Sequence, residues 1–367
     1  MNSHRFESLG SYDEPETLPS PYDPAPRPEA ELWFLPEGDA PAGKPEPGIA
    51  LQFERQGKRS GREVGPEAYL DAQAGLAVAL ARAAAALAAL DEAVRRTGQG
   101  MAERLALIEA EAMVRTEGGR AGREEIARHL AQALAADRHA PDIARGAWAA
   151  RRLVRRPGPL GELRAFLGLH RVDAPALPDT VQPRPVGEDF DLAAAAFAEG
   201  LAPLATAHPI TRAVWAFELW SRAGLSAEGA VAEPAVAAAR IAGGENRALG
   251  FAPFAPGRGC WERRGHADAR LARWIAATEA GARTASMEIS RVEAWQARAA
   301  DAVAGMKARA PARLIDVLAA RPMLTTETAA RLAGMSRDSA ERGLARLHGM
   351  GLVRELTGQG RFRIWAV

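Results

Sequence analysis

The sequence predicts a mainly α fold, a helical bundle that ends in a C-terminal winged helix-turn-helix and is preceded by a disordered N-terminal tail. Three observations predict it. Apolar residues make up 47% of the chain but aromatics only 6%, and alanine fills much of the difference; alanine is the best helix former and a poor strand former. Apolar residues recur at helical spacing from Pro66 onward, with no alternating run before residue 350. The end of the chain, residues 312–367, then reads as helix, helix, turn, helix and hairpin.

The tail is expected over residues 1–60. Residues 1–50 hold ten of the 25 prolines with acidic residues between them, and such a segment buries too little apolar surface to order itself. Leu32, Trp33 and Phe34 form its one apolar cluster, suited to docking on the body.

The bundle is expected over 61–308. Pro66 opens a long helix carrying Leu76, Leu80, Leu87, Leu90 and Val94, which stops at Gly98. Further helices follow at about 101–116, 123–136, 141–155 and 160–168. A proline-rich connector spans Pro175 to Pro185, and helices follow at about 189–200, 209–223 and 233–242. A glycine-rich loop covers 243–259, and a last long helix runs from about 266 to 307, with Gly281 as the place where it would break. Trp148, Trp215, Trp220, Trp274 and Trp295 all fall at helical positions and are expected to be core or interhelix anchors.

Several function classes find no residues to support them. The net charge is +1, from 47 basic and 46 acidic residues, so the chain as a whole is no polycation. With the single Cys260 there is neither a disulfide framework nor a cysteine zinc site. The seven histidines, at 4, 129, 139, 170, 208, 266 and 348, show no i, i+4 pair and no His-Glu-x-x-His. No Gly-x-Ser-x-Gly, phosphate-binding Walker loop or dinucleotide fingerprint appears. No catalytic residue, metal or cofactor is therefore expected. The first residues lack the apolar run of a signal peptide and nothing has the length of a membrane span, so a cytoplasmic location away from membranes is expected.

The informative segment is 309–367. Leu314, Ile315, Val317 and Leu318 give its first helix an apolar face, ended by Pro322. Thr325 or Thr326 caps a short second helix, Gly334 makes the turn, and Ser336 caps a third helix with Asp338 near its positive end. In that helix Ala340, Leu344 and Leu347 share one face while Arg342 and Arg346 point the other way. LVREL and RFRIW then read as short strands joined by TGQG, the wing. From residue 310 onward nine arginines oppose five acids, so this segment carries +4 and the rest of the chain −3. Double-stranded DNA is the expected partner. The expected contact set is Thr326, Ser336, Arg337, Ser339, Arg342, Arg346, Gln359, Arg361 and Arg363, with the bundle supplying homodimer contacts or an effector site. The competing expectation is an adaptor whose third helix packs against the bundle.

LIDVLAARPMLTTETAARLAG and LVRELTGQGRFRIW resemble the C-terminal module of a bacterial family, often plasmid-borne in rhizobia and relatives, that pairs a helical domain of unknown function with a terminal helix-turn-helix. The body resembles the same family more loosely over roughly 66–305. That resemblance implies transcriptional or plasmid-associated regulation. A remoter resemblance is to Fic proteins, many of which end in a winged helix. It implies a histidine general base and a Gly/Asn/Arg phosphate loop, restrained by a helix ending in Glu-Gly. Here Glu117-Gly118 fits the end of that helix, but Met113 replaces its Ser/Thr. His208-Pro209 continues Ile-Thr-Arg-Ala without the loop, and an eroded loop at Gly244, Asn246 and Arg247 would put Ala239 where the histidine belongs. A pocket lined by His208, Arg212 and Asn246 would favour that enzyme. The glycines of 243–259 lack a preceding strand, which favours a flexible loop over a phosphate cradle. Arg151, Arg152, Arg155 and Arg156 are expected to form a solvated helix end, where positive charge suits the helix dipole.

Overall fold

The structure, a computed structural model, describes residues 64–131, 141–155, 158–169, 184–306, 309–358 and 363–367. The chain divides into two units, Met1–Gly61 and Arg62–Val367, and the described architecture belongs to the second. The expected tail and its Leu32, Trp33 and Phe34 lie outside the described residues.

The protein is mainly helical. The bundle runs α1 (Pro66–Gly75), α2 (Ala77–Thr97), α3 (Gln99–Thr116), α4 (Arg123–Ala131), α5 (Pro141–Val154), α6 (Leu163–Leu167), α7 (Gly187–Leu201), α8 (Pro209–Arg222), α9 (Ala232–Ala242) and α10 (Ala267–Val303). Two 3-10 turns, Ala202–Leu204 and Ala255–Trp261, follow α7 and precede α10. After α10 come α11 (Ala310–Ala320), β1 (Met323–Thr325), α12 (Thr326–Leu332), α13 (Arg337–Gly349), β2 (Arg354–Glu355) and β3 (Ile364–Ala366). Among the described residues no single helix is long and apolar enough to cross a membrane.

The 37-residue α10 is the spine. At 1.5 Å per residue it spans roughly 55 Å. It packs along α2 and also touches α1, α8, the second 3-10 turn and α11. Leu271, Trp274, Ile275, Ile289, Val292 and Trp295 form its buried stripe. Gly281 does not break it. A Cβ there would sit 2.0 Å from the carbonyl oxygen of Pro253, so the glycine admits the 243–259 segment against an unbroken helix. The expected single helix from 66 to 97 is instead two, bent by 86° at Leu76. The bend lets Tyr69 of α1 bury itself 5.8 Å from the Trp215 ring of α8 while Leu80, Leu87 and Leu90 of α2 face α10. Burial of two apolar faces outweighs continuity of one helix.

The tryptophans take the places expected of them. Trp215, Trp220, Trp274 and Trp295 are buried. Trp274 lies 5.4 Å from Phe217 and 4.8 Å from Phe254, ring to ring. Trp148 is half-buried and donates to Leu167 O at 3.2 Å.

The 243–259 segment is neither a flexible loop nor an open phosphate cradle. Leu249, Phe251, Ala252 and Phe254 are fully buried. Its backbone N–H groups are filled from within: Arg247, Ala248 and Leu249 donate to the Asp91 carboxylate at 2.9, 2.9 and 2.7 Å. Phe254 and Ala255 donate to Glu109 at 2.8 and 3.0 Å. Burial pushes the Glu109 carboxyl up to about 7, against the downward pull of those two bonds.

Candidate nucleic-acid interface

The C-terminal segment builds a three-stranded antiparallel sheet of order β1-β3-β2 beside three helices. β1 is a departure from expectation, a strand before residue 350. Met-Leu-Thr is too short to show alternation, and only its pairing with β3 (Leu324 opposite Trp365) makes it a strand. β2 and β3 are shorter than the expected LVREL and RFRIW, and pair Arg354 with Ala366 and Glu355 with Trp365.

Local chemistry sets each helix. Thr325 caps α12, its Oγ1 accepting from Thr328 N at 3.1 Å. Gly334, at φ 62°, makes the turn a side chain would disfavour. Ser336 caps α13, its Oγ accepting from Ser339 N at 3.3 Å. α13 then buries Ala340, Leu344 and Leu347 against α11 and α12. Its opposite face exposes Arg342 and Arg346, and Arg337 is exposed at its first turn. Arg342 reaches back to Asp338 O at 3.3 Å within the helix. Arg337 and Arg346 have no hydrogen-bond or ion-pair partner among the described residues. Arg337 stands at the first turn, beside the positive end of the helix dipole, while Arg346 stands in the last turn.

The remaining expected contact residues divide. Thr326 does not belong on the surface: it is 8% exposed, and its Oγ1 accepts from the buried Trp365 indole at 3.0 Å. Two adjacent threonines looked interchangeable in sequence, but only Thr325 caps, and the next side chain turns inward. Ser339 is half-buried, with Ser336 Oγ donating to its hydroxyl at 3.0 Å. Arg363 stands 3.8 Å from the Glu341 carboxylate. Gln359 and Arg361 lie outside the described residues. The turn leading to them is held by Glu355, which accepts from Thr357 N and Gly358 N at 2.8 Å each. Desolvation works to raise the Glu355 carboxyl, but its bonds from Thr357 and Gly358 outweigh that and hold it below the usual range.

The segment is fastened to the bundle away from the arginine face. Trp295 Nε1 donates to Leu352 O at 2.7 Å, and Arg354 pairs with Glu124 at 2.9 Å. Arg321 pairs with Glu103. Buried Arg104 donates to Leu318 O at 2.7 Å and Arg321 O at 2.6 Å, a connection that sequence reading missed because an arginine in mid-helix carries no signal of its distant partner.

Three of the residues weighed for a Fic-like site, His208, Asn246 and Glu117, are engaged elsewhere. His208 Nδ1 accepts from Ile210 N at 3.2 Å and caps α8. Asn246 donates to Leu249 O at 2.9 Å. Glu117 accepts from Val231 N and Ala232 N at 2.7 and 2.8 Å, capping α9. Cys260 is buried, and desolvation pushes its thiol well up, away from the thiolate. Among the described residues no group of three or more His, Cys, Asp or Glu side chains is placed to hold a metal.

Comparison with protein-family models found no match to this chain, and comparison with curated proteins found none either.

Proposed function

We propose that residues 309–367 are a winged helix-turn-helix that binds double-stranded DNA, and that the protein acts as a transcriptional or plasmid-associated regulator. The observation that carries this reading is α13. It is a capped helix with one face buried on its neighbours, Arg342 and Arg346 exposed on the opposite face, and Arg337 exposed at the first turn. α12 braces it, as the first helix of a helix-turn-helix braces the second. The β2–β3 pair would serve as the wing, reaching toward backbone or minor groove. An α13 buried against the bundle would have favoured a protein adaptor; the arginine face is open instead.

Arg342 and Arg346 would meet base edges or phosphates, and Arg337 sits at the first turn, where backbone N–H groups also favour phosphate. A homodimer would set two α13 helices on half-sites roughly 34–36 Å apart. The resemblance of the segment to plasmid-borne bacterial proteins supports the same reading. The test is a binding selection from sheared genomic DNA with the purified full chain. Enrichment of fragments sharing one site supports the reading, and recovery no better than bulk DNA refutes it.

A further inference from the structure

A cleft of about 550 Å³ opens at the seam between the bundle and the C-terminal segment. One wall comes from α3, α4 and α5, the other from Arg321–Thr325 and α12. Burial grades across it. Leu107 and Leu324 are buried, and Leu130, Val154 and Met323 are half-buried, so the floor is apolar. Arg151, Arg155 and Arg331 are exposed at the mouth. None of the three guanidinium groups has an acidic partner among the described residues. Among the described residues the one acid lining the cleft, Glu103, is taken by Arg321. A solvated helix end accounts for Arg151 and Arg155 taken alone. It does not account for Arg331, which α12 brings to the same hollow from the other side. Desolvation, and then the charge of Arg155, draw the Arg151 guanidinium below its ordinary value, the state of a cationic pair without a counter-ion.

The geometry points to a binding site for a small organic anion, with a carboxylate, sulfonate or phosphate head held by Arg151, Arg155 and Arg331 and a hydrocarbon or aromatic body on the apolar floor. The volume lies within the roughly 300–1,000 Å³ of small-molecule pockets. Guanidinium forks suit such a head. A duplex backbone is ruled against by shape, since it offers no apolar group to fill a concave floor. An anion bridging Arg151 or Arg155 to Arg331 would tie the bundle to α12, the helix that braces α13. Resting on the reading of α13 as the DNA-contacting helix, occupancy would change DNA affinity to the extent that the anion binds the seam differently with and without DNA.

The test uses the full chain and 8-anilinonaphthalene-1-sulfonate, a fluorescent sulfonate with an aromatic body. Saturable binding at one site per chain is expected, with displacement by decanoate and not by decanol at equal concentration. Arg151→Glu with Arg331→Glu should weaken the probe on the order of tenfold or more. Leu130→Trp, which fills the floor and leaves the charge alone, should weaken it as well, while circular dichroism of both variants matches the wild type. Equal probe binding by wild type and both variants overturns the site, as does displacement of the probe by a short random-sequence duplex at stoichiometric amounts. Probe binding is read without DNA, so a chain that binds the probe at the cleft but no duplex keeps the site and refutes only the reading of α13.

Discussion

Arg104 of α3 donates to the main-chain carbonyl of Arg321 at 2.6 Å, across 217 residues of sequence. The same nitrogen reaches Leu318 O, so one buried guanidinium closes the C-terminal end of α11. Desolvation pulls its pKa down to about 10, with the nearby Glu288 partly offsetting the loss. It is still a cation at neutral pH, spent on two carbonyls that α11 cannot satisfy itself. Arg104→Met should therefore destabilise the protein by about 2–3 kcal/mol, read as a lower urea midpoint. Arg95→Ala, which breaks the exposed pair with Glu92, should leave the midpoint where it is.

Gly100 makes the same joint from the other side. A Cβ on it would lie 1.2 Å from Ala320 O. Gly100→Ala forces α3 and the end of α11 apart and should cost about 1–3 kcal/mol. Gly75→Ala, with nothing within 4 Å of the added carbon, should be neutral or slightly stabilising. Thermal unfolding of the pair checks this, and equal losses would mean that the contact is not formed.

Glu109 gives the fold a pH dependence. Its folded pKa, raised by burial to about 7, lies above the ordinary carboxylate value of 4.5. The folded state then binds a proton that the unfolded state has released, so this contribution is full below about 4.5 and is lost as pH rises to about 7. Glu109→Gln turns an amide donor toward one of the two backbone donors and should cost about 1–3 kcal/mol at low pH. The gap to the wild type should narrow as pH rises through that window, because only the wild type loses stability there. Urea unfolding at pH 5 and pH 8 measures both, and a constant gap would mean that Glu109 is ionised throughout.

Thr326 and the α13 arginines separate stability from binding. Thr326→Val leaves the Trp365 indole N–H buried without its acceptor and should cost about 1–3 kcal/mol. It should not change the salt dependence of DNA binding. Arg342→Ala should do the reverse. It leaves the unfolding midpoint unchanged and weakens the specific site by about 1–3 kcal/mol. Denaturation and binding isotherms on the two variants check the division.

The helices were largely legible because their apolar stripes repeat at helical period and their ends carry Pro, Ser, Thr or Gly, as at Pro66, Ser336 and Gly98. What escaped reading depended on partners far along the chain. The bend at Leu76 follows from burying Tyr69 against Trp215. β1 exists only because β3 pairs with it. The seam cleft brings Arg151 together with Arg331, which no local pattern connects. Glycines misled for the same reason. Gly281 looked like a helix break and is a place for the Pro253 carbonyl to approach, and the glycine-rich segment after Ala242 looked like a flexible loop although Asp91, from another helix, holds the N–H groups of Arg247, Ala248 and Leu249. In the α13 segment the cap, the turn and the buried stripe were readable, whereas Thr326, one residue from the true cap, was expected on the surface and is buried.

Arg342 and Arg346, exposed on α13, are the proposed DNA contacts. The most direct measurement is the affinity of full-length wild type and of Arg342→Ala with Arg346→Ala for a selected genomic fragment and a random duplex, across a series of salt concentrations. The double variant should lose on the order of tenfold or more on the selected fragment, and the slope of log affinity against log salt should fall by about one to two. Identical affinities and identical slopes for both proteins would contradict it.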